Sequence, residues 1–112
     1  MVLHLSSDLM LVGKVSAWAR SNEMAYQNVS TLEKFRVALA DSAADVVMID
    51  LQFRGLNIPE LATEVRDARP QSRLAGYAQH VMTDLIDAAQ AANFDVVMTR
   101  GQFDRQFADL MQ

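Results

Sequence analysis

The sequence contains no cysteine and only two histidines, His4 and His80. Without cysteine the chain has no disulfide, no thiolate metal site and no cysteine nucleophile. Two histidines supply too few nitrogen ligands for a typical structural zinc site. The four glycines are scattered, and they form neither a GxGxxG motif nor a phosphate-binding P-loop. We therefore expect no resident cofactor and no structural metal ion.

Clustered positive charge and long apolar runs are also missing. The 10 Lys and Arg residues are interspersed among 14 Asp and Glu residues, so no basic face for nucleic acid is expected. Polar residues interrupt the apolar stretch at residues 2–12, and no basic segment precedes it. This stretch is therefore neither a signal peptide nor a membrane span. We expect a cytoplasmic protein with no membrane partner.

Short apolar runs alternate with amphipathic segments along the whole chain. The 112 residues are 51% hydrophobic and 21% charged, which predicts one globular domain over residues 1–112. Four runs are almost entirely apolar, as strands covered on both faces are, at residues 2–5, 46–51, 73–78 and 96–99, and a fifth run at residues 24–29 alternates weakly between apolar and polar residues. A helical segment follows each of them. This pattern predicts an α/β fold of three layers with five βα units around a parallel sheet.

Several local signals place the helices. Apolar residues at helical spacing, Leu9 among them, predict a first helix over residues 8–21. A capping box at residues 30–33 places the cap of the second helix at Ser30. Asn57 is a possible cap for the third helix, and Thr83 or a neighbour for the fourth. The last helix is predicted after Gly101.

The segment Asp45-Val46-Val47-Met48-Ile49-Asp50-Leu51 is an apolar run that ends on a single carboxylate. A short loop with Gly55 follows it, and Ala91-Ala92-Asn93-Phe94-Asp95-Val96-Val97 leads into the last strand. With its five βα units, the chain resembles the receiver domain of two-component response regulators over essentially its whole length. The resemblance implies a flavodoxin-like fold with strand order 2-1-3-4-5. It also implies that Asp50 occupies the phosphoacceptor position.

The other active-site positions of that family carry different residues here. In the family, an acidic pair after the first strand helps the phosphoacceptor to hold Mg²⁺, a hard cation that prefers oxygen ligands. A Thr or Ser ends the fourth strand and a Lys ends the fifth, and both contact the phosphoryl group. These positions fall on Ser6 and Ser7, Tyr77 and Thr99 in this chain. The resemblance therefore implies a degenerate receiver, or pseudo-receiver.

Several polar residues follow the strands at the edge where Asp50 is expected. Tyr77, His80, Arg100 and Gln102, with Asp8 nearby, could form a polar pocket for an anion or for a partner's carboxylate, since Arg pairs well with planar oxyanions. The simpler interpretation is that they cap helices, and that loop N–H groups or Arg100 hydrogen-bond to Asp50.

Three functions remain open from the sequence. The leading hypothesis is a non-catalytic signalling or regulatory module that binds a protein partner and needs no Mg²⁺-dependent phosphorylation. The first alternative is an atypical receiver phosphorylated on Asp50, with Mg²⁺ held by Asp8 and Asp50. The second is a domain that binds a small anion. No activated nucleophile can be named, so an enzyme is not expected. A homodimer is plausible through residues 83–93, the fifth strand and the last helix with Phe103 and Phe107.

Overall fold

The computed structural model describes all 112 residues, in which strands and helices alternate along the chain. The elements are β1 (Val2–Leu5), α1 (Leu9–Ser21), β2 (Tyr26–Val29), α2 (Leu32–Asp41), β3 (Val46–Asp50), α3 (Ile58–Ala68), β4 (Arg73–Ala78), α4 (Thr83–Ala91), β5 (Val96–Thr99), α5 (Arg100–Gln106) and a final 3₁₀ helix (Phe107–Met111). None of the helices combines the length and the apolar character that crossing a bilayer requires.

All four strand pairs are parallel, and the strand order is β2-β1-β3-β4-β5. The predicted three-layer fold and strand order are therefore confirmed. Asp50 pairs with Tyr77 at the carboxyl ends of β3 and β4, and Thr99 pairs with Ala78 one position further along. This edge of the sheet is where ligands collect in open α/β folds.

The core has two halves because successive strand residues point to opposite faces of the sheet. Leu3 and Leu5 of β1 belong to the half that α2, α3 and α4 cover. Val2 of β1 belongs to the half that α1, α5 and the 3₁₀ helix cover. His4 shares the Val2 face, where its ring lies beside Phe103 of α5.

Four local expectations at the helix starts were wrong. Thr31, not Ser30, caps α2, because its backbone is extended and its hydroxyl accepts the Lys34 N–H at 3.1 Å. Thr83 is the first residue of α4, whose cap position has no side-chain hydrogen bond.

Gly101 lies inside α5, which begins at Arg100 because Thr99 caps it directly. Leu9 is 82% exposed and contributes nothing to the core.

Candidate functional site

Asp50 is the last residue of β3, and its half-buried carboxylate lines a small pocket at the carboxyl edge of the sheet. Its Oδ1 accepts the backbone N–H of Gln52 at 3.0 Å. Its Oδ2 accepts the Ser6 hydroxyl at a long 3.4 Å. Burial raises the pKa of Asp50, and these two hydrogen bonds only partly oppose that effect. The carboxylate therefore lacks strong compensation for its charge.

Asp8 is held by two different partners. Its Oδ1 accepts the Leu11 N–H at 3.2 Å and so caps α1. Its Oδ2 accepts hydrogen bonds from Nη2 and Nε of Arg100, at 2.7 and 3.1 Å. Partial burial acts to raise the pKa of Asp8, but the hydrogen bonds from Arg100 and Leu11 outweigh it and hold the pKa below its usual value. Arg100 thus pairs with Asp8. The interpretation that Arg100 hydrogen-bonds to Asp50 was wrong.

Two substitutions at Asp8 separate the helix cap from the ion pair. Asp8→Asn keeps a good capping oxygen and removes only the charge pairing with Arg100, so it should cost less than about 1 kcal/mol, since the pair is partly exposed. Asp8→Ala removes both interactions and should cost about 1–2 kcal/mol. Urea unfolding of both variants measures the difference. Equal losses in the two variants would show that the cap contributes nothing.

Tyr77 turns its hydroxyl away from the solvent edge. The side chain is 2% exposed, and its hydroxyl lies 2.8 Å from Nε2 of His4. The ring stacks on Phe103 with a centroid distance of 4.0 Å and an interplanar angle of 19°. The hydroxyl of the fourth strand is therefore committed to the core.

His4 links the two tyrosines of this half of the core. Its Nδ1 lies 2.8 Å from the hydroxyl of Tyr26, opposite the contact with Tyr77. The ring is 0% exposed, and burial lowers the pKa of His4 to about 4, with Asp8 opposing the shift. The histidine is therefore neutral at pH 7, donating from one ring nitrogen and accepting at the other.

The pocket encloses about 100 Å³. Its lining consists of Asp8, Asp50, Gln52, Tyr77, Gln79 and Arg100. The structure thus brings together three of the five residues of the predicted polar pocket, and it places the other two outside the pocket. His80 is exposed outside the pocket, and Gln102 exchanges capping hydrogen bonds with Thr99, as the simpler interpretation had it. Ser7 is exposed and lines no part of it.

Sequence reasoning missed two glutamines of the pocket. Gln52 accepts the backbone N–H of Gln79 through its side-chain oxygen at 2.8 Å, which ties the loop after β3 to the loop after β4. The signal was present in the sequence, because Gln79 directly follows β4, Gln52 comes two positions after the end of β3, and these two strands are paired. Asp8 and Asp50 are the carboxylates of the pocket, and nowhere do three His, Asp or Glu side chains come close enough together to hold a metal ion.

No protein-family model and no curated protein matches this sequence. A response regulator receiver domain protein from Methanospirillum hungatei superimposes with a TM-score of 0.83 at 10% identity, over 98% of this chain and 88% of that one. A response regulator from Burkholderia pseudomallei, with a phosphorylated aspartic acid, a calcium ion and citrate, gives 0.80 at 11% identity. The match covers 99% of this chain, which spans 65% of the length of that protein.

An adenylate cyclase from Rhodopirellula baltica gives a TM-score of 0.77 at 15% identity, over 98% of this chain and 83% of that one. At these identities the likeness shows the fold alone. The chain therefore has the receiver-type α/β fold, and its function has to be argued from the site.

Proposed function

We propose that this chain is a receiver-like signalling module that binds a protein partner and does not rely on Mg²⁺-dependent phosphorylation of Asp50. The ion pair between Asp8 and Arg100 carries this proposal. Asp8 is the only other carboxylate of the pocket, and it already binds a guanidinium with two hydrogen bonds. A Mg²⁺ ion would have to displace that cation to gain a second carboxylate ligand.

The hydroxyl and lysine positions of the family support the same proposal. The Tyr77 hydroxyl is bonded to His4, and the Thr99 hydroxyl caps α5 by accepting the Gln102 N–H. The Tyr77 hydroxyl is held in the core and Thr99 does not line the pocket that contains Asp50, so neither hydroxyl is placed to donate to a phosphoryl group there. Each such donor or metal ligand typically contributes about 10²-fold or more to metal affinity or rate.

The proposal is tested by following backbone amide NMR signals during titration with millimolar Mg²⁺ and then with beryllofluoride, an acyl-phosphate mimic. We expect no saturating shift around Asp8, Asp50 and Gln52, because the metal site is incomplete. Arg100→Met should gain a Mg²⁺ response, since it frees the Asp8 carboxylate from its ion pair. Asp50→Ala serves as the control for site-specific shifts.

The second candidate is an atypical phosphoacceptor. It is favoured by the Asp50 carboxylate, which forms no ion pair and lines an open pocket. Saturating shifts in the unmodified protein that vanish in Asp50→Ala would establish this candidate in place of the first. A small anion is a poor ligand here, because the pocket holds two carboxylates and its one guanidinium is already paired.

A further inference from the structure

Four of the five exposed large apolar side chains lie within three positions of a pocket residue along the chain. Leu9 is 82% exposed, Met10 76%, Val81 65% and Met82 37%, and Val37 is the only other large apolar side chain that is exposed. We call these four residues the apolar rim. Leu9 and Met10 directly follow Asp8, and Val81 and Met82 come two and three positions after Gln79. Asp8 and Gln79 both line the pocket, so each apolar pair follows a pocket residue at the carboxyl edge of the sheet, one pair after β1 and the other after β4.

Isolated exposed apolar residues are ordinary, but a group beside a polar pocket is typical of a protein interaction surface. Two of the four rim residues are methionines, whose flexible side chains adapt to a partner's shape. The pocket of about 100 Å³ is smaller than a typical small-molecule site. It can hold the head of one side chain but not a nucleotide.

The charge of the pocket selects the kind of side chain. The pocket contains two carboxylates and one guanidinium, and the two side-chain hydrogen bonds that Arg100 donates both go to Asp8. Asp50 accepts two hydrogen bonds, one of them at 3.4 Å, whereas a carboxylate can accept about four. The Asp50 carboxylate is therefore left without an ion-pair partner, at the end of the strand that lies between β1 and β4 in the sheet.

We propose that the apolar rim and Asp50 form a docking site for a partner protein that presents one Lys or Arg side chain among apolar residues. The cation hydrogen-bonds to the Asp50 carboxylate, and the flanking apolar residues cover Leu9, Met10, Val81 and Met82. This inference rests on the proposed function and specifies the chemistry of its partner. A partner with an acidic group at this point would be repelled by Asp50.

A random linear peptide library selected on the immobilised full chain tests the inference. We expect the enriched peptides to share a Lys or Arg flanked by apolar residues. Synthetic copies should bind at least about tenfold more weakly to Asp50→Asn, which keeps an oxygen for the Gln52 N–H, and also to Leu9→Ser. Val37→Ser is the matched control, because Val37 is an exposed valine outside the pocket, and it should bind them as the unmodified chain does.

Enriched peptides that lack a basic residue, binding that Asp50→Asn leaves unchanged, or no enrichment at all would each overturn the docking site. The Mg²⁺ and beryllofluoride titration decides the proposed function independently. Basic peptides that need Asp50, in a protein that also binds beryllofluoride, would refute the proposed function and leave the docking site standing. If no basic peptide is enriched and beryllofluoride causes no response, the docking site is refuted and the proposed function stands.

Discussion

Lowering the pH from about 7 to about 4 should cost this protein about 3 kcal/mol more of its free energy of unfolding than it costs the His4→Gln variant. Burial lowers the pKa of His4 from 6.5 to about 4 in the folded protein. The unfolded chain therefore takes up the proton first. The stability due to neutral His4 is fully present above pH 6.5 and is lost as the pH falls from there through 4.

Urea unfolding at a series of pH values, in both proteins, measures this difference. Gln is the matched replacement because it keeps a donor and an acceptor at the same position without titrating in this range. The acidic residues remote from His4 shift the stability of both proteins alike, and Asp8, whose charge acts on His4, has a pKa held below its usual value, so the difference between the proteins reports mainly on His4. Parallel curves for the two proteins would show that His4 is protonated as readily when folded as when unfolded. That result would contradict its burial between Tyr26 and Tyr77.

The fold was predictable because burial on both faces leaves a strong pattern in a parallel sheet. The strands Val2–Leu5, Arg73–Ala78 and Val96–Thr99 have the predicted bounds. Their apolar runs leave little choice of structure between the amphipathic helices. The helix caps were harder to predict, because Ser30 and Thr31 are both good capping residues and only the backbone conformation decides between them.

The location of the site at the carboxyl edge of the sheet was predictable, but the contacts among its side chains were not. The sequence placed Asp8, Asp50 and Arg100 at the carboxyl ends of strands, which parallel pairing brings together. The pairing of Arg100 with Asp8 could not be foreseen, because two carboxylates lie within reach and residues 8 and 100 are 92 positions apart. The hydrogen bonds of His4 could not be foreseen either, because its partners Tyr26 and Tyr77 lie on two other strands.

Apolar residues gave the least reliable guide to surfaces. Phe103 and Phe107 were assigned to an interaction surface, yet they are 1% and 5% exposed and belong to the core. Leu9 fitted the buried face of α1 by its spacing, yet it is exposed. Helical periodicity shows which residues share a face, but whether an element of the same chain covers that face depends on the tertiary packing. A homodimer through α5 therefore cannot use these two rings as its anchors.

Phe103→Ala should lower the free energy of unfolding by about 3–5 kcal/mol, the usual cost of emptying a site filled by a buried phenylalanine. The ring contacts His4, Tyr77 and Phe107, so its loss leaves a cavity beside the buried hydrogen bonds of His4. Domains of this size are commonly stable by about 5–15 kcal/mol, so the variant should keep little of its stability. Urea unfolding measures the loss, with Gln106→Ala on the exposed side of α5 as a control that should change stability by less than about 0.5 kcal/mol.

The same variant separates a core role from an interface role for this ring. If Phe103 packs in the core, the loss of stability is the same at every protein concentration, since no association is involved. If Phe103 anchors an interface, the loss depends on protein concentration, and the isolated chain unfolds as the unmodified chain does. Burial of the ring at 1% exposure, stacked on Tyr77, supports the first outcome. The proposed partner would then have to contact residues that the chain leaves uncovered, and the apolar rim contains four of the five exposed large apolar ones.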